Sequence, residues 1–130
     1  MEAAANNKPT VLVVDDEETA LLLRKLVLEK SGFRVLTVSS GAKALELLAT
    51  TPVDLVLSDL LMPKMLGTEL ARRLKEERPE LPVVIISGVN EIPQEASFAD
   101  MFISKLEGPV ALAEKLHKVL NQSRATASSS

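Results

Sequence analysis

The sequence predicts an α/β domain built on a doubly wound, five-stranded parallel sheet, and three observations predict it. Five apolar runs of strand length alternate with stretches of helical length, the arrangement that gives helices on both sheet faces and right-handed crossovers. The runs are continuously apolar, as in Leu55-Val56-Leu57 and Val83-Val84-Ile85-Ile86, so they suit strands covered on both faces. The first, third, fourth and fifth runs stop at a carboxylate, a hydroxyl or a lysine that a loop follows at once. Open α/β sheets bind ligands at that rim, outside the carboxyl ends of their strands.

Residues 1–8 are small and polar and read as a disordered lead-in. Thr10 to Val14 is the first strand. Asp15-Asp16-Glu17-Glu18 then place acid at the positive end of a helix that runs to Lys30-Ser31 and stops at Gly32. Phe33 to Val38 is the second strand, and Ser39-Ser40-Gly41 cap a helix through Leu48 or Ala49. The third strand ends at Asp59, and Met62-Pro63-Lys64 form a loop. Gly67-Thr68 lead into a helix over Glu69 to Glu77, closed by Arg78-Pro79. Pro82 to Ser87 is the fourth strand, with proline as its first residue. Gly88 to Asp100 leaves room only for a shortened fourth helix, roughly Pro93 to Phe98. Met101 to Ser104 is the fifth strand, followed by Lys105. Gly108-Pro109 open a last helix through Leu120, and residues 122–130 read as a disordered tail.

The whole of 9–121 is therefore one domain, long enough to bury a core. With 46% hydrophobic residues but 2% aromatic ones, that core must come from Leu, Val, Ile and Ala. The chain has no cysteine, which excludes a disulfide scaffold and a thiolate metal site and suits a reducing, cytoplasmic setting. A net charge of −3 gives no electrostatic reason to expect nucleic-acid binding. No apolar run approaches the length of a membrane span, and Met1 to Pro9 lack a signal pattern.

In a flavodoxin-like strand order of 2-1-3-4-5, strands one and three are neighbours, with four and five beyond three. Asp15, Asp16, Asp59, Ser87 and Lys105 then converge on one rim. Two carboxylates about 4 Å apart repel by roughly 4 kcal/mol at an effective dielectric near 20, so the cluster should hold protons or a cation. Mg2+ suits one or two carboxylates plus a phosphate oxygen. Such a set is equipped to put a phosphoryl group on a carboxylate, with Asp59 attacking in line and Lys105 and Ser87 holding the transferred oxygens. Each piece alone has a plainer meaning: a helix-start charge cluster, a turn former, a solvated lysine. Their coincidence at one end of successive strands makes the functional reading.

Over about residues 9–121 the chain resembles the receiver domain of two-component response regulators. The matching stretches are Val11 to Glu17, Asp54 to Pro63 with Gly67 following, Val83 to Gly88, and Lys105. The resemblance implies that Asp59 accepts phosphate from a phosphohistidine on a histidine kinase or phosphotransfer protein, in a signalling domain rather than an enzyme. It implies direct Mg2+ ligation by Asp16, Asp59 and the backbone carbonyl of Leu61, with Asp15 acting through water. Ser87 matches the family's switch hydroxyl, Phe102 its aromatic switch position and Lys105 its phosphate-contacting lysine. Two features depart from the pattern. Leu106, not proline, follows Lys105, which leaves the peptide bond there open between cis and trans. Only seventeen residues separate Ser87 from Lys105, which shortens the fourth helix.

The first helix carries seven apolar residues in nine over Ala20 to Leu28, more than one buried stripe requires. It reads either as a deeply buried helix or as a partner face, the latter through Ala20, Leu23, Arg24 and Val27, because the corresponding family helix docks on the kinase. His117 reads as a solvated helix residue. The competing function is a phosphorylation-independent adaptor with the same fold. A flavin carrier lacks support, since Asp-Asp-Glu-Glu stands where a phosphate loop would be and the chain has no Trp or Tyr. The expected species is a monomer that signals by protein contact.

Overall fold

The computed structural model describes residues 8–88 and 99–129, the side chains of 123–129 excepted. The elements, in chain order, are β1 (Thr10–Val14), α1 (Glu18–Lys30), β2 (Arg34–Val38), α2 (Gly41–Leu48), β3 (Leu55–Asp59), α3 (Gly67–Glu77), β4 (Val83–Ser87), β5 (Met101–Ser104) and α4 (Pro109–Ser129). The five strands pair in parallel in the order β2-β1-β3-β4-β5, the predicted doubly wound sheet. The expected short helix between β4 and β5 lies in residues 89–98, outside the described residues.

The two faces of the sheet carry two cores. Val11, Val13, Leu55, Leu57, Val84, Ile86 and Ile103 face one way and pack on Leu21 and Leu28 of α1 and on Leu112, Leu116 and Val119 of α4. Leu12, Val14, Val56, Val83 and Ile85 face the other way and pack on Ala44 and Leu48 of α2 and Leu70 and Leu74 of α3. This alternation along strands buried on both sides explains why their sequences show no alternation of polarity.

Local chemistry fixes the ends of the elements. Gly32 takes a φ of 96°, open to glycine at little cost, and ends α1. There the Phe33 N–H donates to the Leu28 carbonyl at 3.1 Å and the Gly32 N–H to the Glu29 carbonyl at 3.3 Å, a Schellman closure. The Ser40 hydroxyl accepts the Lys43 N–H at 3.1 Å and starts α2. Asp100 clamps β5 to its neighbours: its carboxylate accepts the Val83 N–H at 2.7 Å and pairs with Lys75 at 2.7 Å.

Two readings of the last helix are corrected. It does not stop at Leu120 but runs to Ser129, because nothing from Asn121 onward is a glycine or proline that would break it. His117 is not a solvated residue. Its ring stacks on Phe33 with centroids 4.2 Å apart, and Nε2 lies 3.1 Å from the Ser31 carbonyl, so α4 is fastened to the end of α1.

Leu116 is fully buried against this face, whereas Val110, one helix turn and a half earlier, is 71% exposed. Leu116→Ala should lower unfolding stability by about 2–5 kcal/mol, and Val110→Ala by no more than about 0.5 kcal/mol, in urea denaturation followed by circular dichroism.

Candidate functional site

The strand order brings β1 and β3 side by side, with Val14 opposite Ser58, so the residues that follow them converge at the carboxyl edge. Asp15, Asp16 and Asp59 meet there, each offering a carboxylate oxygen within 4.8 Å of the others. Asp15 and Asp59 are buried and Asp16 is exposed. Lys105, just past β5, reaches back over β4 and sets its Nζ 2.8 Å from Asp59 Oδ1. That oxygen is buried, and among the described residues Lys105 is the cation set against it. Ser87 is buried at the end of β4, where its carbonyl accepts the Lys105 N–H at 2.8 Å. Register puts Asp59 opposite Ile86, so Ser87 stands one residue beyond Asp59 at the same edge.

Burial pushes the Asp59 carboxyl above its ordinary value; the Lys105 contact opposes that, the negative charge of Asp15 adds to it, and the charges of Lys105 and Arg24 oppose it further. A buried carboxylate oxygen without a donor, with two further carboxylates beside it, is the donor set a hard divalent cation such as Mg2+ needs. The residues present fit that ion.

The loop after Asp59 is held by close backbone contacts. Lys64 takes a φ of 72°, and the Met65 N–H donates to the Pro63 carbonyl at 2.8 Å, a strained γ-turn. The Gly67 N–H donates to the Leu60 carbonyl at 2.8 Å, and a Cβ on Gly67 would lie 2.4 Å from the Asp59 carbonyl oxygen. Only glycine lets α3 begin this close to the end of β3. Leu61, whose carbonyl is an expected metal ligand, is half exposed in this loop.

The chain past Lys105 turns through a trans bond, since the described residues contain no cis peptide. Glu107 closes the turn. Its carboxylate accepts the Ser104 N–H at 3.3 Å and pairs with Lys115 at 2.5 Å, while the Leu106 N–H donates to the Ser104 hydroxyl at 3.1 Å.

A family profile described as response regulator receiver domain matches residues 11–117. The chain belongs to this family. The receiver domain is 34% identical over 116 residues to the autoinducer 1 sensor kinase/phosphatase LuxN of Vibrio campbellii; the match covers 89% of this chain and 14% of LuxN, so the chain spans only a small part of that relative. Among solved structures, it superposes on a response regulator receiver domain protein from Clostridium thermocellum with a TM-score of 0.83 at 28% identity, covering 91% of this chain and 98% of that one. It also superposes on the response regulator protein TrrA from Thermotoga maritima in complex with Mg2+-BeF, with a TM-score of 0.80 at 26% identity, covering 85% of this chain and 98% of that one. Receiver domains are signalling domains of two-component systems, and phosphorylation with Mg2+ at an acidic cluster is general to them.

The remaining expected residues fall differently. Phe102 is half-buried opposite Ile85 and packs with it on the sheet face that α2 and α3 cover. On α1, Leu23 is exposed, while Ala20 and Val27 are half-buried. Arg24 does not belong to an outward face: its guanidinium is turned inward onto the Asp15 carboxylate, and the side chain is 14% exposed. The exposed apolar residues of the helix are Leu22, Leu23 and Leu26. A signal for this existed in the sequence. Leu21, Arg24 and Leu28 share helical spacing, so an arginine stands in the buried stripe, where it requires an anion.

Because the Asp59 carboxyl is raised, its contribution to stability is full below its unfolded value of about 3.9 and is lost as pH rises through the folded value. Asp59→Asn should therefore raise the melting temperature at pH 7 in metal-free buffer, with the advantage shrinking as pH falls towards about 4. Thermal unfolding at a series of pH values checks this. Gly67→Ala should lower stability by about 1–3 kcal/mol by pushing α3 off the backbone of Asp59 and Leu60, as read by urea denaturation.

Proposed function

We propose that this receiver domain takes a phosphoryl group from a phosphohistidine of a histidine kinase or phosphotransfer protein onto Asp59. The observation that carries the reading is the buried Asp59 carboxylate, held between Lys105 Nζ at 2.8 Å and the Asp15–Asp16 carboxylates. One Asp59 oxygen attacks phosphorus in line, the P–N bond breaks, and its electron pair leaves with the imidazole nitrogen. The product is an acyl phosphate, and the protein's part is positioning and charge stabilisation. Asp16, Asp59 and the Leu61 carbonyl would hold Mg2+, with Asp15 acting through water. The ion supplies positive charge against the phosphoryl oxygens. Lys105 is more than one-third exposed along its side chain, so it can leave Asp59 Oδ1 and follow the transferred oxygens. The Ser87 hydroxyl then donates a hydrogen bond to a phosphoryl oxygen. Phe102 shares the Ser87 face of the sheet, and its ring moves with that hydroxyl to alter the surface read by an output partner.

The kinase-docking face is Leu22, Leu23 and Leu26 of α1, exposed by 57%, 57% and 48%. Side chains this apolar on one exposed helix face suit a partner's helical surface. The assembled pocket favours this phosphoacceptor reading over a phosphorylation-independent adaptor.

With Mg2+ and acetyl phosphate the protein should gain one phosphoryl mass, mapped to Asp59 by borohydride trapping and mass spectrometry. Asp59→Asn should gain none, and an adduct forming there at the normal rate refutes the assignment. Asp16→Ala should fold normally yet lose Mg2+ binding and phosphorylation, because it removes like charge from the pocket rather than a packing contact.

A further inference from the structure

Asp15 is 1% exposed, and a buried carboxylate needs a partner. It has two: the Glu17 N–H at 3.0 Å on Oδ1 and the Arg24 guanidinium on Oδ2. Arg24 can reach because Asp15 continues the Val11-Val13 alternation towards the sheet face that α1 covers, and Arg24 lies in the inward stripe of that helix with Leu21 and Leu28. The same guanidinium pulls down the raised Asp59 carboxyl, so its field extends over the pocket. A permanent cation thus sits on one of the three carboxylates that make the metal pocket.

We propose that Arg24 is a resident counter-cation of the acidic pocket, a positioning residue that holds Asp15 when the divalent ion is absent and lowers the pocket's affinity for that ion. The inference rests on the reading of Asp15, Asp16 and Asp59 as a metal site. Two consequences follow from electrostatics. Removing the guanidinium charge leaves a more negative pocket, which binds a divalent cation more tightly. Removing it also strands the buried Asp15 carboxylate, which destabilises the metal-free protein until the ion supplies the missing charge. A merely structural arginine predicts the loss of stability but not the gain in affinity.

The test is Mg2+ titration by calorimetry at low ionic strength on the full chain, paired with thermal denaturation in EDTA and in Mg2+. Arg24→Met keeps the apolar stem and removes the charge; Arg24→Lys keeps the charge. Arg24→Met should bind Mg2+ on the order of tenfold more tightly than wild type, melt earlier in EDTA, and gain more melting temperature from Mg2+ than wild type does. Arg24→Lys should stay near wild type in both measurements. If Arg24→Met does not fold in EDTA but folds in Mg2+, that supports the proposal. If it folds in neither, Arg24→Gln, a neutral donor, takes its place in the same comparison. Asp16→Ala separates the two readings. Wild-type Mg2+ affinity in Asp16→Ala overturns the metal site itself. Lost binding there, with no tightening in the neutral Arg24 variants, overturns the role of Arg24 alone.

Discussion

The pocket depends on keeping two like charges out of water beside each other. Asp15 and Asp59 are 1% and 4% exposed, and an unpaired ion in such a place is destabilising by several kcal/mol. The sheet order forces the proximity, since β1 and β3 are adjacent and in register, and the residues after their last paired positions must share one edge. The fold then supplies a cation to each carboxylate from a different direction. Arg24 comes from the helix covering one sheet face, and Lys105 comes from the far strand across β4. Two strand spacings separate β3 from β5, about 10 Å. A long side chain ending in a point charge is what spans that gap, and the bond from the Lys105 N–H to the Ser87 carbonyl shortens it.

Most of this was legible in the chain because it is written in local pattern. Continuous apolar runs gave buried parallel strands, and polar residues at their ends gave the rim where Asp15, Asp16, Asp59 and Lys105 meet. What could not be read depends on three-dimensional neighbours. Helical spacing puts Arg24 in the buried stripe, but that its partner there is Asp15 shows only in three dimensions. His117 looks solvated until Phe33, far away in sequence, arrives under its ring. The last helix passes its expected end because a polar, small-residue sequence without glycine or proline carries no stop signal, whatever its composition suggests. Whether a short helix joins β4 to β5 lies outside the described residues.

The turn after Lys105 shows how one geometry can be reached by other chemistry. Leu106 stands where the family pattern has proline, and the bond is trans, so side-chain hydrogen bonds set the path. Glu107 ties its carboxylate to the Ser104 N–H and to Lys115 on α4, and the Ser104 hydroxyl takes the Leu106 N–H. The lysine is therefore delivered from a strand end and a carboxylate-anchored turn. Such an anchor is polar and only half-buried, and it restrains the loop without locking it.

The two cations consequently differ in what they can do. Arg24 is fixed within a helix, mostly buried, and bonded to a carboxylate that is not the acceptor. It acts as a constant positive charge beside the three carboxylates of the pocket. Lys105 lies on a turn, is partly exposed, and touches Asp59 itself, its Nζ 2.8 Å from Oδ1. On the proposed reading, that contact is the one a phosphoryl group on Asp59 would replace, because the carboxylate charge it neutralises would pass onto the phosphoryl oxygens. On the proposed reading, one fixed and one movable cation let the pocket stay folded without a metal and still change its contacts when Asp59 is loaded, which is the minimum a signalling switch requires.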